Sequence, residues 1–367
     1  MAQGSPQSSP AARVGIVGTG FMARVHAHAA RVNGARVVAV ASSTAESARR
    51  GAYALGVDRS LDSVAALIDS PDIDVVHICS PNVFHAEQAS RALASGKHVI
   101  CEKPIATTLD DATELLRVAQ KYPGQVTAVP FVYRYHPMVR EARARVAGGS
   151  TGRLLTIHGS YLQDWLSQGS DDNWRVSSAT GGPSRAFADI GSHLVDLIEY
   201  ITGARITRLS ARRRTFLAHR DGHRVVETED AMALVVETAD GAIGTLLISQ
   251  MAPGHKNSLV VDISFSDETL IFEQEQPNRL IVGARDRVEI LQRGTPTAYS
   301  DTAIAQLPPG HPMGYQDAFN AFVAEAYSAR VDTADALPTF IDGLRAVEIT
   351  DAALRAAAGD SWVTLGA

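Results

Sequence analysis

The stretch from Arg13 to Ala30, RVGIVGTGFMARVHAHAA, limits the possible folds more than any other part of the chain. It opens with a β-branched run at Val14 to Val17, bends through Gly18 and Gly20, and continues with residues that suit a helix. Glycines let the backbone approach a pyrophosphate closely, and the free N–H groups at the start of a helix attract its negative charge. The stretch predicts a strand, a tight turn and a helix that bind a dinucleotide; the alternative is a glycine turn with a structural role only.

Short β-rich runs alternate with helical patterns from residue 13 to about residue 130, which predicts a doubly wound parallel sheet. The further predicted strands are Arg36 to Ala41, Ile73 to Cys79, His98 to Cys101 and Gln125 to Val129. The predicted helices lie near Ala45 to Leu55, Ser63 to Ile68, Ala86 to Ser95 and Leu109 to Lys121. In such a sheet, ligands bind beyond the carboxyl ends of the strands.

The pattern changes after Pro130, because closely spaced β-rich runs joined by short turns fill residues 205 to 292. Such spacing predicts a second, mostly antiparallel sheet. Its predicted strands include Arg224 to Val226, Ala231 to Thr238, Ile243 to Gln250, Leu259 to Phe265, Leu270 to Glu273 and Leu280 to Val282. Two helices, near Tyr315 to Ala329 and Pro338 to Ala358, are expected to pack on the first domain or on the edge of this sheet.

The length of the chain favours two domains, since 367 residues with 45% hydrophobic content exceed one ordinary core. We expect a disordered tail at residues 1–11, a dinucleotide-binding domain at 12–132 and a second domain at 133–367 that includes the C-terminal helices. The tail lacks the apolar segment of a signal peptide, so a cytoplasmic location is expected.

The end of the second strand bears on the choice of dinucleotide. A carboxylate about 20 residues after the glycines would bind the ribose hydroxyls of NAD. This sequence instead has Ser42 and Ser43, with Arg50 a little further on. Hydroxyls and guanidinium groups suit a 2′-phosphate, which favours NADP over NAD, although arginines on a solvated helix face are the alternative interpretation.

Two other strand ends carry polar side chains towards the same edge of the sheet. One holds Ser80, Asn82 and His85, and the other reads Cys101-Glu102-Lys103-Pro104. A lysine at this position could hydrogen-bond a reacting hydroxyl and favour its alkoxide character as hydride leaves. A solvated loop lysine is the alternative.

The segment ADIGSHLVDL in the second half is the other candidate for chemistry. On an α-helix Asp189 and His193 are one turn apart, and Asp196 follows three residues later, so all three could share a face. A carboxylate beside an imidazole can orient it and raise its basicity, so the pair could take a proton from a substrate hydroxyl. The alternatives are a helix cap for Asp189 and a buried core position for His193.

Aromatic and polar side chains just before this segment suit a sugar, whose CH faces pack on rings while its hydroxyls bind polar groups. They are found in YLQDW, with Gln163 and Asp164, and in NWR, with Trp174 and Arg175. Each aromatic side chain considered alone could equally belong to the core.

Composition excludes several other functions. A net charge of -6 without a basic and aromatic cluster disfavours nucleic acid, and no apolar run is long enough to span a membrane. The two cysteines, Cys79 and Cys101, are expected to be buried thiols. No metal-binding spacing is present, so no metal is expected.

These motifs resemble the Gfo/Idh/MocA family, named after glucose-fructose oxidoreductase and inositol dehydrogenase. The resemblance runs from about Val14 to the end of the chain and rests on GIVGTGFMARVHA, CSPNVFHAEQA, GKHVICEKP, FVYRYHP, GGPSRAFADIGSHLVDL, GYQDAFNAF and DGLRAVEITDAAL. Within the family, YLQDW, NWR and DIGSH are most similar to levoglucosan dehydrogenase and to sugar or glycoside 3-dehydrogenases.

The resemblance implies a Rossmann domain followed by an open-faced sheet domain that binds substrate and forms dimers or tetramers. It also implies that Lys103, Asp189 and His193 are catalytic, with His193 as the acid-base. The predicted cofactor-binding residues are Gly18, Gly20, Phe21, Met22, Ser42, Ser43, Arg50, Ser80, Asn82, His85, Glu102, Lys103, Trp174 and Arg175. The predicted substrate-binding residues are Lys103, Tyr133, Arg134, Gln163, Asp164, Asp189 and His193.

The expected activity is NAD(P)-dependent transfer of hydride between the nicotinamide and a secondary hydroxyl or ketone of a sugar or glycoside, with C3 as the candidate carbon. Three alternatives stay open at this point: an inositol dehydrogenase, a hydrolase or lyase that recycles a tightly bound dinucleotide, and a non-catalytic nucleotide-binding sensor. The sequence names neither the sugar nor the direction of the reaction.

Overall fold

The computed structural model describes residues 11–221, 224–297, 307–329 and 337–366. The predicted tail at 1–11 lies outside the described residues except for its last position. Two sheets organise the fold, and helices from the end of the chain contact both.

The first sheet is parallel, with strand order β2-β1-β3-β4-β5, and it confirms the predicted Rossmann architecture. Its strands are β1 (Arg13–Val17), β2 (Arg36–Ala41), β3 (Val75–Ile78), β4 (His98–Cys101) and β5 (Thr127–Ala128). The accompanying helices are α1 (Phe21–Val32), α2 (Ala45–Leu55), α3 (Val64–Ile68), α4 (His85–Ala94) and α5 (Leu109–Ala119).

Local sequence explains where these elements begin. The residue before each of three helices, Thr44, Ser63 and Thr108, accepts a backbone hydrogen bond in its side chain, as a good N-cap does. The central strand β3 is buried along its whole length, because helices cover both faces of a parallel sheet.

The second sheet has nine strands in the order β15-β14-β13-β12-β6-β11-β10-β7-β16. Every neighbouring pair is antiparallel except β6 and β11, so the prediction of a mostly antiparallel sheet is confirmed. Its strands are β6 (Leu154–Leu162), β7 (Ile206–Arg214), β10 (Ala231–Thr238), β11 (Ile243–Ser249), β12 (Ser258–Phe265), β13 (Thr269–Glu273), β14 (Arg279–Ala284), β15 (Arg287–Gln292) and β16 (Val363–Thr364). A separate hairpin pairs β8 (His219–Arg220) with β9 (Arg224–Val225).

Burial alternates along the strands of this sheet, so one face packs into the core and the other faces outward. Helix α8 (Ser192–Thr202) lies on the buried face, where a Cβ at Gly159 would touch Leu194 and Ile198. The outward face carries exposed apolar side chains, including Val235 and Leu247.

Further helices pack around the two sheets. They are α6 (Pro137–Ala147), α7 (Ser178–Gly181), α9 (Tyr315–Ser328) and α10 (Phe340–Gly359). Helix α9 packs against α1 of the first domain, whereas α10 packs against both α5 and strand β7. The sequence left open whether these helices cover the first domain or the sheet, and α10 does both.

Candidate active site

A cleft of about 510 Å³ opens where the two sheets meet. The first domain contributes the residues that follow β1, β3 and β4, which is the carboxyl edge of its sheet. The second domain contributes the end of β6 and the residue that precedes the antiparallel β12. The predicted residues that line this cleft are Gly20, Phe21, Met22, Ser80, Asn82, His85, Glu102, Lys103, Tyr133, Gln163, Trp174, Arg175, Asp189 and His193.

The glycine turn has the properties of a dinucleotide site. Gly18 has a φ of 100°, and a Cβ there would lie 2.4 Å from the carbonyl oxygen of Cys79, so only glycine fits. A Cβ at Gly20 would meet nothing within 4 Å, which leaves open space beside the start of α1. That helix has no side-chain cap and no acid in its first turn. The free N–H groups at the start of α1 and the open space beside them fit a pyrophosphate.

The end of β2 carries no carboxylate. Ser42 and Ser43 follow the strand, and the hydroxyl of Ser42 bonds with that of Ser47. The guanidinium of Arg50 forms an exposed ion pair with Glu46 one turn earlier on α2, outside the residues that line the cleft.

Lys103 follows β4 and crosses from the first domain to the second. Its ammonium donates to the carboxylate of Asp189 over 2.9 Å and to the backbone carbonyl of Asp189 over 2.7 Å. Both side chains are largely buried, so this ion pair is weakly screened by solvent. The peptide bond from Lys103 to Pro104 is cis.

The carboxylate of Asp189 binds cations, whereas the sequence suggested that it would bind the imidazole of His193. One oxygen accepts from Lys103 with the Arg175 guanidinium 3.6 Å away, and the other accepts from the amide of Gln250 over 2.9 Å. Burial acts to raise the pKa of Asp189, but the charges of Lys103 and Arg175 outweigh it and hold that pKa well below its usual range. We expected Asp189 to orient His193; both of its oxygens are instead engaged elsewhere.

His193 is neutral and weakly held. Burial, followed by the charge of Lys103, lowers the pKa of His193 to about 3. The ring packs edge-on against Phe131 and Tyr133, with centroids 5.7 and 5.0 Å away. Its Nδ1 atom is buried without a hydrogen-bond partner in the described part of the chain. A neutral imidazole with free capacity can accept a proton from a bound ligand.

Asp189 lies on a π-helical turn at Phe187–Gly191. The sequence predicted that Asp196 shares a helix face with Asp189 and His193, and the structure does not show this arrangement. A π-turn holds more residues than an α-turn, so it changes which side chains of the following helix share a face. Asp196 lies away from the cleft, in a buried ion pair with Arg134, which also pairs with Asp342. Arg134 is therefore a structural residue, and the structure does not bring it to the predicted substrate site.

Buried carboxylates fix the start of this π-turn. One oxygen of Glu229 accepts from the hydroxyl of Ser184 and from the backbone N–H groups of Arg185 and Phe187. The side chain of Arg185 pairs in turn with Asp230, and all of these groups are shielded from solvent. These bonds hold the start of the π-turn against the segment that leads into β10.

Aromatic and polar side chains of the second domain form one wall of the cleft. The hydroxyls of Tyr133 and Tyr161 are 2.5 Å apart, and Tyr161 donates to Asn257 over 2.6 Å. Gln163 also donates to Asn257 and accepts from the indole of Trp165. The wall thus combines ring faces with amide and hydroxyl groups, which is the surface that a sugar requires.

Some of the side chains predicted to bind cofactor or substrate already hydrogen-bond to other groups of the protein. Asp164 lies outside the cleft lining and accepts from Lys256 and from the backbone of Gly254. The ring nitrogens of His85 each lie 2.7 Å from a backbone carbonyl, and burial lowers the pKa of His85 despite these contacts. Asn82 donates to the carbonyl of Gly181 and so ties the two domains together.

The sequence reasoning missed Gln250, Asn257 and Tyr315, all near or in the cleft. Gln250 ended a predicted strand, and a polar residue at that point was the available signal. Asn257 precedes β12 and Tyr315 begins α9, and the direction of these elements could not be deduced from the pattern alone.

The described ranges contain no group of three or more histidine, cysteine or acidic side chains placed to hold a metal ion. None of the helices within them is long and apolar enough to cross a membrane. Cys79 and Cys101 are both free thiols, and burial raises the pKa of each.

Comparison with known proteins gives two family matches. Residues 12–129 match the profile described as "Oxidoreductase family, NAD-binding Rossmann fold", and residues 139–270 match the "GFO/IDH/MocA C-terminal domain".

Two characterised relatives match nearly the whole chain. Levoglucosan dehydrogenase of Pseudarthrobacter phenanthrenivorans is 30% identical over 95% of this chain and 97% of its own. Glucose-6-phosphate 3-dehydrogenase of Bacillus subtilis is 25% identical over 92% and 94%. Among solved structures, a levoglucosan dehydrogenase complex with NADH and levoglucosan superposes with a TM-score of 0.89 at 28% identity, covering 97% of this chain and 100% of the other.

Proposed function

The chain belongs to the Gfo/Idh/MocA family of NAD-binding oxidoreductases, and from that premise we propose that it oxidises a secondary hydroxyl of a sugar or glycoside, at C3, in a reversible reaction. The single observation that carries the proposal is the cleft itself. It is lined by the ammonium of Lys103 and by the neutral ring of His193, together with residues that follow a glycine turn fitted for a pyrophosphate.

Each of these side chains has a distinct task in alcohol oxidation. The nicotinamide, when bound, accepts hydride from the carbinol carbon. Lys103 donates a hydrogen bond to the substrate oxygen and stabilises the negative charge that develops as the C–H bond breaks. His193 accepts the hydroxyl proton, for which it must be neutral beforehand.

The role of Asp189 is to position Lys103. Its carboxylate accepts from the ammonium, so Lys103 is held in the cleft and does not extend into solvent. Gln250 holds the second oxygen of Asp189 and fixes its orientation. Preorganised donors of this kind need little rearrangement when charge develops.

The charges of the cleft favour an uncharged sugar over a sugar phosphate. Its two permanent cations, Lys103 and Arg175, both lie against Asp189, and Glu102 adds a second acid. A phosphate would lack a free cation in this lining and would approach two carboxylates. Levoglucosan, the substrate named for one relative, is uncharged, whereas glucose 6-phosphate is not.

For the cofactor, we propose that NADP is preferred and that NAD is also used. The β2 end lacks the carboxylate that would repel a 2′-phosphate. Arg50 is about seven-tenths exposed, and its surface ion pair with Glu46 is weak enough to be exchanged for a phosphate.

We also propose that the outward face of the second sheet binds a second copy of the chain. Val235, Ile243 and Leu247 are about half exposed on adjacent strands, and contiguous apolar surface of this kind marks interfaces. Leu247→Glu should convert a dimer or tetramer to a smaller species in light scattering; an unchanged mass would contradict this assignment.

The test of function is a substrate panel. Purified protein is incubated with NAD or NADP and with pyranoses, glycosides, sugar phosphates and inositols, while absorbance of the reduced nicotinamide is followed and any ketone is identified. Reduced nicotinamide with a 3-keto sugar supports the proposal. An inositol as the best substrate would favour a cyclitol dehydrogenase, and aglycone release without a net absorbance change would favour a recycling hydrolase or lyase.

Lys103→Ala should lower kcat roughly 100- to 1,000-fold, as the loss of an oxyanion donor does, and should change dinucleotide affinity much less. Lys121→Ala removes an exposed lysine after α5 and is the matched control. Unchanged turnover in Lys103→Ala would exclude the mechanism.

A further inference from the structure

A continuous chain of hydrogen bonds runs from the cleft through the core of the first domain. Glu102 lies 3.0 Å from Nε2 of His26, and Nδ1 of His26 lies 2.9 Å from Nδ1 of His77. Nε2 of His77 lies 3.0 Å from the hydroxyl of Tyr327 on α9. Both histidines are fully buried, whereas Tyr327 is only partly buried.

The chemistry of the four groups sets the direction of every bond. A carboxylate can only accept, so His26 donates from Nε2, and a neutral His26 ring then accepts at Nδ1. His77 therefore donates from Nδ1 and accepts at Nε2 from the tyrosine hydroxyl. Burial, followed by the proximity of His26, lowers the pKa of His77 well below its usual value, so that ring is neutral at rest.

The inner end of this chain lies at the proposed reaction site. Glu102 lines the cleft, and its second oxygen accepts from the backbone N–H of Lys103 over 3.3 Å. Glu102 and His193 share the same cleft, and the charge of each affects the pKa of the other. The proton that His193 receives from a substrate is therefore released beside Glu102.

We propose that Glu102, His26, His77 and Tyr327 form a proton path between the cleft and the surface beside α9. This inference rests on the proposed function, because oxidation of an alcohol to a ketone yields one hydride, taken by the nicotinamide, and one proton. His193 passes that proton through a cleft water to Glu102. From the arrangement in which every donor points towards the surface, Glu102 then gives its proton to Nε2 of His26, Nδ1 of His26 gives one to Nδ1 of His77, Nε2 of His77 gives one to Tyr327, and Tyr327 gives one to solvent.

Each imidazole receives a proton at one nitrogen and loses one from the other, so one outward transfer leaves every donor pointing towards Glu102, which is the resting arrangement. Ketone reduction starts from that resting arrangement and uses the same bonds in the opposite sense, and successive oxidations require the donors to be reset between turnovers. Removing one member should slow proton exchange while the nicotinamide and sugar still bind normally.

The kinetic test uses the full-length protein and the sugar found in the substrate panel. Tyr327→Phe and His77→Leu should lower kcat roughly 10-fold or more, with KM for the sugar unchanged, since positioned proton transfer contributes at least this much. Added imidazole buffer should restore kcat, and the solvent deuterium isotope effect on kcat should exceed that of the unmodified protein. Tyr135→Phe is the matched control, because Tyr135 is a buried tyrosine that packs on α9 at Phe322 outside the path.

Wild-type kcat and isotope effects in both path variants would overturn the proposal. So would a loss of kcat that imidazole does not restore, which would indicate a structural role. Failure of the proposed function is separate, because it would appear as an inactive unmodified protein in the same assay.

A second readout does not depend on turnover. Nitrogen-15 NMR of labelled histidines should give neutral His26 protonated at Nε2 and neutral His77 protonated at Nδ1 at pH 7. Tyr327→Phe should shift the Nε2 resonance of His77 and leave the melting temperature close to that of the unmodified protein. Any other pair of tautomers, or a cationic His77, would overturn the path even if no substrate were found.

Discussion

The two glycines of the first turn should respond differently to the same substitution. Gly18 has a φ of 100°, and a Cβ there would lie 2.4 Å from a backbone oxygen that cannot move away cheaply. Strained backbone costs about 1–3 kcal/mol and overpacking a similar amount, so Gly18→Ala should lose roughly 2–6 kcal/mol of stability. Gly20 has φ and ψ of -79° and -162°, which alanine adopts freely, and its Cβ would meet nothing within 4 Å.

Gly20→Ala should therefore fold normally and bind dinucleotide poorly, because its methyl group occupies the space that a pyrophosphate needs. Loss of one hydrogen bond to a charged group costs about 1.5–3 kcal/mol, which weakens Kd roughly 10- to 150-fold. Thermal melting without ligand measures the first effect, and titration with NADH and NADPH measures the second. A Gly20→Ala protein that melts as early as Gly18→Ala, or binds as tightly as the unmodified protein, would refute the assignment of this turn.

Three further predictions concern other parts of the molecule. Gln250→Leu removes the donor to Asp189 and should lower kcat roughly 10-fold with little change in KM. The control is Gln274→Leu, at a buried glutamine away from Asp189, which should leave kcat unchanged. Equal effects of the two substitutions would refute the positioning role of Gln250. Burial lowers the pKa of His136 to about 4, so this ring stays neutral when folded but protonates below about pH 6.5 when unfolded. Stability is then complete above pH 6.5 and falls as the pH decreases towards 4, and His136→Gln should reduce the difference in unfolding free energy between pH 7 and pH 5 by about 2 kcal/mol in urea titrations. Ser43→Asp should shift the ratio of kcat/KM for NADP to that for NAD at least roughly 10-fold towards NAD, and no shift would exclude this position from the ribose site.

The first domain was predictable because its local signals agree with its fold. The helix over Ala45–Leu55 and the strands over Arg36–Ala41 and His98–Cys101 have the bounds that hydrophobic periodicity and capping residues predicted. The second sheet was harder to predict. Strand β6 (Leu154–Leu162) was not recognised, because its buried positions do not alternate regularly and it pairs with β11, far along the chain.

In the candidate site, too, residues could be predicted from local motifs, whereas contacts between residues far apart in the chain could not. Lys103, Asp189 and His193 were predicted from their motifs and lie in one cleft. Their pairing was not predictable, because periodicity assumes a regular α-helix and the π-turn at Phe187–Gly191 breaks it. The family resemblance assigned Arg134 to the substrate, but Asp196 and Asp342, both distant along the chain, bind its side chain away from the cleft.

The Lys103–Asp189 pair explains why the site depends on both domains. Lys103 follows a strand of the first sheet, Asp189 lies on a turn fixed by Glu229 of the second domain, and Gln250 ends another strand of that domain. Without the first domain, Asp189 would keep only the longer contact with Arg175, and a poorly paired buried charge is costly, so packing of the domains and assembly of the site are favoured together. Helix α10 contacts α5 and β7 at once, and it therefore stabilises the same domain arrangement from outside the cleft. A substitution that loosens α10 should consequently reduce turnover by separating Lys103 from Asp189, even though it changes no residue in the cleft.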